Sequence, residues 1–121
     1  MAKKILVVDD SGLIRSLVEK AAHEAGYETV LANDGQMGLD ELAKNEIDLI
    51  FSDVNMPTMN GLEMVEHVRE LPQYKFIPIV MLTTESKPAL KARAKELGVK
   101  AWLLKPFNKD KFLLVLSKLL G

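Results

Sequence analysis

Two patterns of apolar and polar positions alternate along the chain, and the alternation repeats five times. Short, nearly continuous apolar runs bounded by turn residues are typical of strands that are covered on both faces. We assign such strands to residues 5–8, 27–32, 48–52, 79–82 and 101–104. Apolar residues recur at helical spacing after each run. The alternation predicts an α/β fold, in which a five-stranded parallel sheet is flanked by five helices through right-handed crossovers.

Turn and capping residues set the predicted limits of these elements. Gly26 and Gly98 are placed to end the first and fourth helices, and Pro88 suits a first helical turn. The second strand contains Glu28 and Thr29, which indicates a less buried edge and favours the flavodoxin-like strand order 2-1-3-4-5. The side chains predicted to cap the second, fourth and fifth helices are Asp34, Ser86 and Asn108.

Composition narrows the class of protein. The 121 residues are 48% hydrophobic and fit one domain, which we assign to residues 1–121 without an attached output domain. The net charge of -1 gives no global field that favours nucleic acid or membrane. The chain has no cysteine, which excludes disulfides and thiolate metal sites. No apolar stretch approaches the ~18 residues of a spanning helix and no signal peptide is evident, so we expect a monomeric cytoplasmic protein without membrane insertion.

Polar side chains follow four of the apolar runs at the point where each strand should end. Asp9 and Asp10 follow the first strand, Asp53 the third, Thr83 the fourth and Lys105 the fifth. The carboxyl ends of parallel strands share one edge of an open sheet, and ligands bind there. The sequence therefore predicts a cleft that combines three carboxylates, a hydroxyl and an ammonium.

That combination suits a divalent metal and a phosphoryl group. Three carboxylates in close proximity repel one another unless a cation is present, and an oxygen-only ligand set favours Mg²⁺. Asp53 is the candidate nucleophile, because a carboxylate can form an acyl phosphate. The phosphoryl oxygens require positioning and positive charge more than acid–base chemistry, which Mg²⁺, Lys105 and the Thr83 hydroxyl could supply.

Four separated segments also resemble a known family. They are residues 7–11 (VVDDS), 52–61 (SDVNMPTMNG), 81–85 (MLTTE) and 105–107 (KPF). Together they resemble the receiver domain of two-component response regulators over the whole chain, and most of all the single-domain chemotaxis regulators of the CheY type.

The resemblance implies a role for each matching residue. Asp53 matches the phosphoacceptor, and Asp9 and Asp10 match the pair that holds Mg²⁺. Asn55 matches the position whose backbone carbonyl binds the metal, and Thr83 the switch hydroxyl. Lys105 matches the lysine that binds the phosphoryl group, and the Lys105–Pro106 bond matches one that is usually cis. Asn55 and Glu85 match the pair of residues that tunes dephosphorylation. Trp102 matches the position of a switch aromatic that is usually Tyr or Phe.

The resemblance also implies partners and a mode of action. A sensor histidine kinase would donate the phosphoryl group, a flagellar motor switch or similar protein would be the target, and a phosphatase could reset the signal. The chain would catalyse only its own phosphorylation and dephosphorylation. A stand-alone phosphorelay intermediate and an aspartyl-phosphate hydrolase remain alternatives, although a hydrolase has its second Asp two residues beyond the nucleophile.

Overall fold

Five parallel strands form the central sheet of the computed structural model, which describes residues 2–121. The spatial order β2-β1-β3-β4-β5 is the predicted flavodoxin-like order. The edge strand β2 is only partly buried, as its polar residues indicate, whereas every residue of β3 and β4 is buried. The bounds are β1 Lys4–Val8, β2 Glu28–Ala32, β3 Leu49–Ser52, β4 Ile79–Thr83 and β5 Ala101–Leu104.

Residues 2–121 contain the five predicted α-helices, of which four connect successive strands and the fifth follows β5. Their bounds are α1 Gly12–Glu24, α2 Gly35–Lys44, α3 Gly61–Glu70, α4 Pro88–Glu96 and α5 Lys109–Leu120. A short 3-10 helix over Pro72–Tyr74 was not predicted. Pro72 is its first residue. The same proline ends α3, because the residue before a proline is driven out of the helical region, and Leu71 accordingly has ψ 120°.

The predicted caps of α2 and α5 are confirmed, but that of α4 is wrong. The Asp34 carboxylate accepts the Met37 N–H at 2.8 Å, and the Asn108 side chain accepts the Lys111 N–H at 2.9 Å. The N-cap of α4 is Lys87 rather than Ser86, and it makes no side-chain capping bond. Pro88 occupies the first helical position and has no N–H, so the cap falls on the residue before it.

Two apolar cores cover the two faces of the sheet. Side chains of β1 alternate between them: Leu6 and Val8 face the core under α2, α3 and α4, while Ile5 and Val7 face the core under α1 and α5. A large side chain buried in this way stabilises the fold by about 1.5–3 kcal/mol. Both faces of the sheet are therefore covered by helices, and the polar residues of the predicted site lie at the strand ends. None of the helices described is both long and apolar enough to cross a bilayer.

Candidate functional site

Strand register brings the predicted site residues to one edge of the sheet. Val8 pairs with Ser52, and the Asp53 N–H donates to the Val8 carbonyl at 2.9 Å. Asp9 and Asp53 therefore follow adjacent central strands at the same level. On the other side, Thr83 ends β4, and the Lys105 N–H donates to its carbonyl at 2.9 Å. Backbone pairing thus fixes the relative heights of all four residues.

The three predicted carboxylates form one cluster. Asp9, Asp10 and Asp53 each place a carboxylate oxygen within 4.8 Å of the others. Asp9 and Asp53 are almost fully buried, at 2% and 5% exposure, while Asp10 is exposed at the rim. Such an all-oxygen set, open to solvent on one side, fits Mg²⁺, which keeps several of its waters when it binds to proteins.

Lys105 is the cation that faces this cluster. Its Nζ lies 2.9 Å from Asp53 Oδ2 and 3.2 Å from Asp9 Oδ2, and only 17% of its side chain is exposed. Partial burial acts to lower the pKa of Lys105, but its hydrogen bond to Asp53 and the charges of Asp53 and Asp9 outweigh burial and raise it. The ammonium stays charged at neutral pH and balances part of the negative charge.

Asp53 is held rigidly by its surroundings. Its Oδ1 accepts the N–H groups of Val54 at 2.6 Å and Asn55 at 3.3 Å, while Oδ2 accepts from Lys105. The Asp53 carbonyl accepts the Ser52 hydroxyl at 2.8 Å, and Gly61 packs so closely on it that a Cβ there would collide. The carboxylate is therefore presented in one orientation, as an in-line nucleophile requires.

Asp9 is oriented by two residues that the sequence analysis missed. Its Oδ1 accepts the Ser11 N–H at 2.9 Å, and its carbonyl accepts from Arg15 Nη1 at 2.5 Å. Burial raises the pKa of Asp9, although the Ser11 hydrogen bond and Lys105 oppose the shift. Ser11 also caps α1 through the Ile14 N–H. A serine between an aspartate pair and a helix is a capping signal that could have identified it.

Thr83 and Trp102 both contact Glu85. The buried Thr83 hydroxyl accepts the Glu85 N–H at 3.1 Å. The indole N–H of Trp102 donates to the Glu85 carbonyl at 2.9 Å. The two predicted switch residues therefore bind the N–H and the carbonyl of one residue in the loop that leads into α4.

Asn55 and Pro106 lie close in the chain to Asp53 and Lys105. Asn55 is exposed beside Asp53, to which its N–H donates. The Lys105–Pro106 bond is cis, as the resemblance implied.

The loop between β3 and α3 contains a strained residue that sequence reasoning also missed. Thr58 has φ 69°, and the Met59 N–H donates to the Pro57 carbonyl at 2.7 Å across it. This geometry matches the uncommon γ-turn with positive φ, and a β-branched residue there is a genuine outlier. The turn lies between Asn55 and Asn60, which caps α3. It therefore shapes the loop that carries Asn55.

The chain is similar in sequence and in structure to known proteins. The family profile of the response regulator receiver domain matches residues 5–117. The chain is 41% identical to a chemotaxis protein CheY homolog of Campylobacter jejuni over 107 residues, which cover 87% of this chain and 82% of that protein. It is 40% identical to chemotaxis protein CheY1 of Helicobacter pylori over 107 residues, covering 87% and 86%. The structure of Vibrio cholerae chemotaxis protein CheY4 superposes with a TM-score of 0.93 at 46% identity, covering 98% and 99%.

Proposed function

This chain belongs to the response regulator receiver domain family, and from that premise we propose that it is a chemotaxis regulator phosphorylated on Asp53. The observation that supports Asp53 most strongly is its carboxylate, buried beside two further aspartates and 2.9 Å from Lys105. The chain is a signalling protein of a two-component system. We propose that residues 1–121 act as one receiver domain in the cytoplasm, and that the only reactions they promote are their own phosphorylation and dephosphorylation.

The proposed reaction is phosphoryl transfer from a histidine of a sensor kinase. An Asp53 carboxylate oxygen attacks phosphorus, the bond between phosphorus and the histidine nitrogen breaks, and the imidazole leaves. The amides of Val54 and Asn55 hold Oδ1 of this carboxylate in a fixed position. Lys105, already at the carboxylate, neutralises a phosphoryl oxygen as the group arrives.

The acidic cluster fits Mg²⁺, and we propose that Asp9, Asp10, Asp53 and the Asn55 carbonyl hold it. When bound, Mg²⁺ supplies positive charge for the phosphoryl oxygens. The chain's own part is to orient the cluster: Ser11 binds one Asp9 oxygen, and Lys105 binds the other. Asp10 is exposed and available from the solvent side.

Thr83 and Trp102 are the proposed switch residues. The Thr83 hydroxyl would move toward a phosphoryl group on Asp53, and the Glu85 amide that it now holds must follow or lose its acceptor. Trp102 donates to the carbonyl of the same residue, Glu85. Phosphorylation would thereby change the loop before α4 and the surface formed by α4, β5 and α5.

The positive charge of the surface formed by α4, β5 and α5 supports an acidic segment of a partner protein as its binding target. Residues 84–121 contain nine lysines and arginines but only three acidic residues, although the whole chain has a net charge of -1. Most of these basic side chains are exposed. We propose a flagellar motor switch protein as the target, a histidine kinase as donor, and a phosphatase whose action the Asn55/Glu85 pair tunes. We propose a monomer as the acting species.

The test of the chemotaxis role is genetic. Deletion of the encoding gene should abolish directed migration through soft agar while cells continue to grow and swim. The wild-type gene should restore migration, and Asp53→Asn should not. Normal migration of the deleted strain would contradict a chemotaxis role and would favour a stand-alone phosphorelay intermediate, whereas the comparisons do not favour a hydrolase.

A further inference from the structure

Arg69 joins α3 to the carboxyl end of α4 through main-chain carbonyls alone. Its half-buried guanidinium makes five hydrogen bonds, to the carbonyls of Leu97 (2.8 Å), Ile77 (2.8 Å), Lys75 (3.2 Å), Gly98 (3.3 Å) and Tyr74 (3.4 Å). Desolvation lowers the pKa of Arg69, yet the group remains a cation at neutral pH. No salt bridge to Arg69 occurs among residues 2–121.

The position of these carbonyls explains what Arg69 does for α4. Leu97 is the C-cap of α4, and Gly98 has the positive φ of 78° that ends the helix. Carbonyls at a helix end have no intrahelical partner and carry partial negative charge, so a cation there is stabilising. The rigid fork of a guanidinium can bind several carbonyls at once, which an ammonium cannot do with the same geometry.

The amino end of α4 has no comparable attachment. Lys87 makes no capping bond, Pro88 contributes no N–H, and Ala94 is the one residue of the helix that is fully buried. Leu90 is partly buried against the core. The preceding loop is held by Glu85, whose N–H and carbonyl bind Thr83 and Trp102. The helix is thus fixed firmly at one end and through the switch residues at the other.

We infer that Arg69 is a positioning residue that anchors the carboxyl end of α4 and confines the phosphorylation-driven change to the loop and the first turns of that helix. The inference rests on the proposed phosphorylation of Asp53. Arg69 touches none of the carboxylates of the site, and it acts through the position of α4. Without this anchor, movement at Glu85 would displace the whole of α4, including its carboxyl end.

Hydrogen exchange followed by mass spectrometry tests the anchor, with beryllofluoride and Mg²⁺ as the phosphoryl mimic. In the wild type, the mimic should change exchange in residues 84–92 and leave residues 93–99 unchanged. In Arg69→Lys without the mimic, exchange of residues 93–99 should rise about tenfold, because charge-assisted hydrogen bonds are lost. With the mimic, the change should then extend into that segment.

Arg93→Lys is the matched control. Arg93 also joins α4 to α3, through an exposed pair with Glu66 at 3.1 Å. Exposed pairs stabilise little, so this variant should leave the exchange of residues 93–99 within about twofold of wild type. Equal exchange of that segment in Arg69→Lys and Arg93→Lys would overturn the anchor.

A second result would also overturn the inference: a wild-type protein in which the mimic alters residues 93–99 as strongly as 84–92. That comparison needs no variant, so it decides the question even if Arg69→Lys fails to fold. Failure of the proposed function is distinct, because the mimic would then not bind the wild type at all. In that case the claim that phosphorylation-driven change is confined to the start of α4 is also wrong. The exchange of residues 93–99 in the two lysine variants without the mimic still shows whether Arg69 anchors the helix.

Discussion

The ammonium of Lys105 lies 2.9 Å from the carboxylate of Asp53, although the two residues are 52 positions apart and follow strands that are separated by β4. Lys105 also reaches Asp9 at 3.2 Å, so it bridges two of the three clustered carboxylates. The site is therefore partly neutralised before any phosphoryl group arrives.

Lys105→Met should slow phosphorylation of Asp53 by acetyl phosphate while leaving Mg²⁺ affinity undiminished. The variant removes the ligand of a phosphoryl oxygen but also the cation that competes with the metal. It should also lower the metal-free free energy of unfolding by about 2 kcal/mol, since Asp9 and Asp53 lose their charged hydrogen bonds to Lys105. Urea unfolding measures the change in stability, and titration calorimetry measures the Mg²⁺ affinity. Intact-mass spectrometry at successive times measures the phosphorylation rate.

Lys109→Met is the control for Lys105→Met. Lys109 pairs with Glu24 at 3.2 Å, and both side chains are about half exposed. Removing it should change the unfolding free energy by less than about 1 kcal/mol and leave phosphorylation unchanged. Equal phosphorylation rates in the two variants would contradict the role given to Lys105.

Protonation of Asp9 should contribute an increase in the free energy of unfolding of the metal-free protein as the pH falls from neutrality. Burial raises the folded-state pKa of Asp9 above the ordinary value of 3.8 for an aspartate. Between the unfolded and folded pKa values the folded state binds more protons, so stability falls as pH rises through that window. Urea unfolding of wild type and Asp9→Asn should therefore give a stability difference that shifts in favour of the wild type as pH drops. A pH-independent difference would contradict this account.

Trp102 should report on occupation of Asp53. Its indole N–H binds the carbonyl of Glu85, whose amide is bound by Thr83. Trp102 is the only tryptophan in the chain. Beryllofluoride with Mg²⁺ should alter its emission wavelength or quenching, an effect that vanishes in Asp53→Asn and shrinks in Thr83→Ala. Unchanged emission under conditions where ¹⁹F NMR shows the mimic bound would mean that Trp102 is static packing.

Thr58→Gly should stabilise the protein by about 1 kcal/mol, because glycine removes the strain of a β-branched residue at φ 69°. Part of this gain is offset by the greater chain entropy of glycine in the unfolded state. Thr84→Gly is the control: Thr84 is exposed and its φ is not positive, so that variant should be destabilised. Urea unfolding compares the two, and a destabilised Thr58→Gly would rule out strain at this turn.

Strand ends were the most predictable part of this molecule. Buried parallel strands give strong apolar runs, and the topology of the sheet then places Asp9, Asp53 and Lys105 at one edge without further information. The cap of α4 was mispredicted because Ser86 is a good capping residue by type, whereas the proline at position 88 decides which residue takes that place.

Long-range contacts to the main chain were not predictable. Arg69 binds carbonyls up to 29 positions away, and Trp102 binds one 17 positions away. Any residue offers a carbonyl, so the sequence carries no partner signal for such bonds. The strain at Thr58 was hidden for a related reason: a threonine in a loop gives no indication of positive φ.

Phosphorylation of Asp53 is the central claim, and intact-mass spectrometry after incubation with acetyl phosphate and Mg²⁺ tests it most directly. The wild type should gain one phosphoryl group, which hydroxylamine removes because the bond is an acyl phosphate. Asp110→Asn, which changes an exposed aspartate in the first turn of α5, should be labelled like the wild type. Asp53→Asn should gain nothing, and undiminished labelling of that variant would contradict the account.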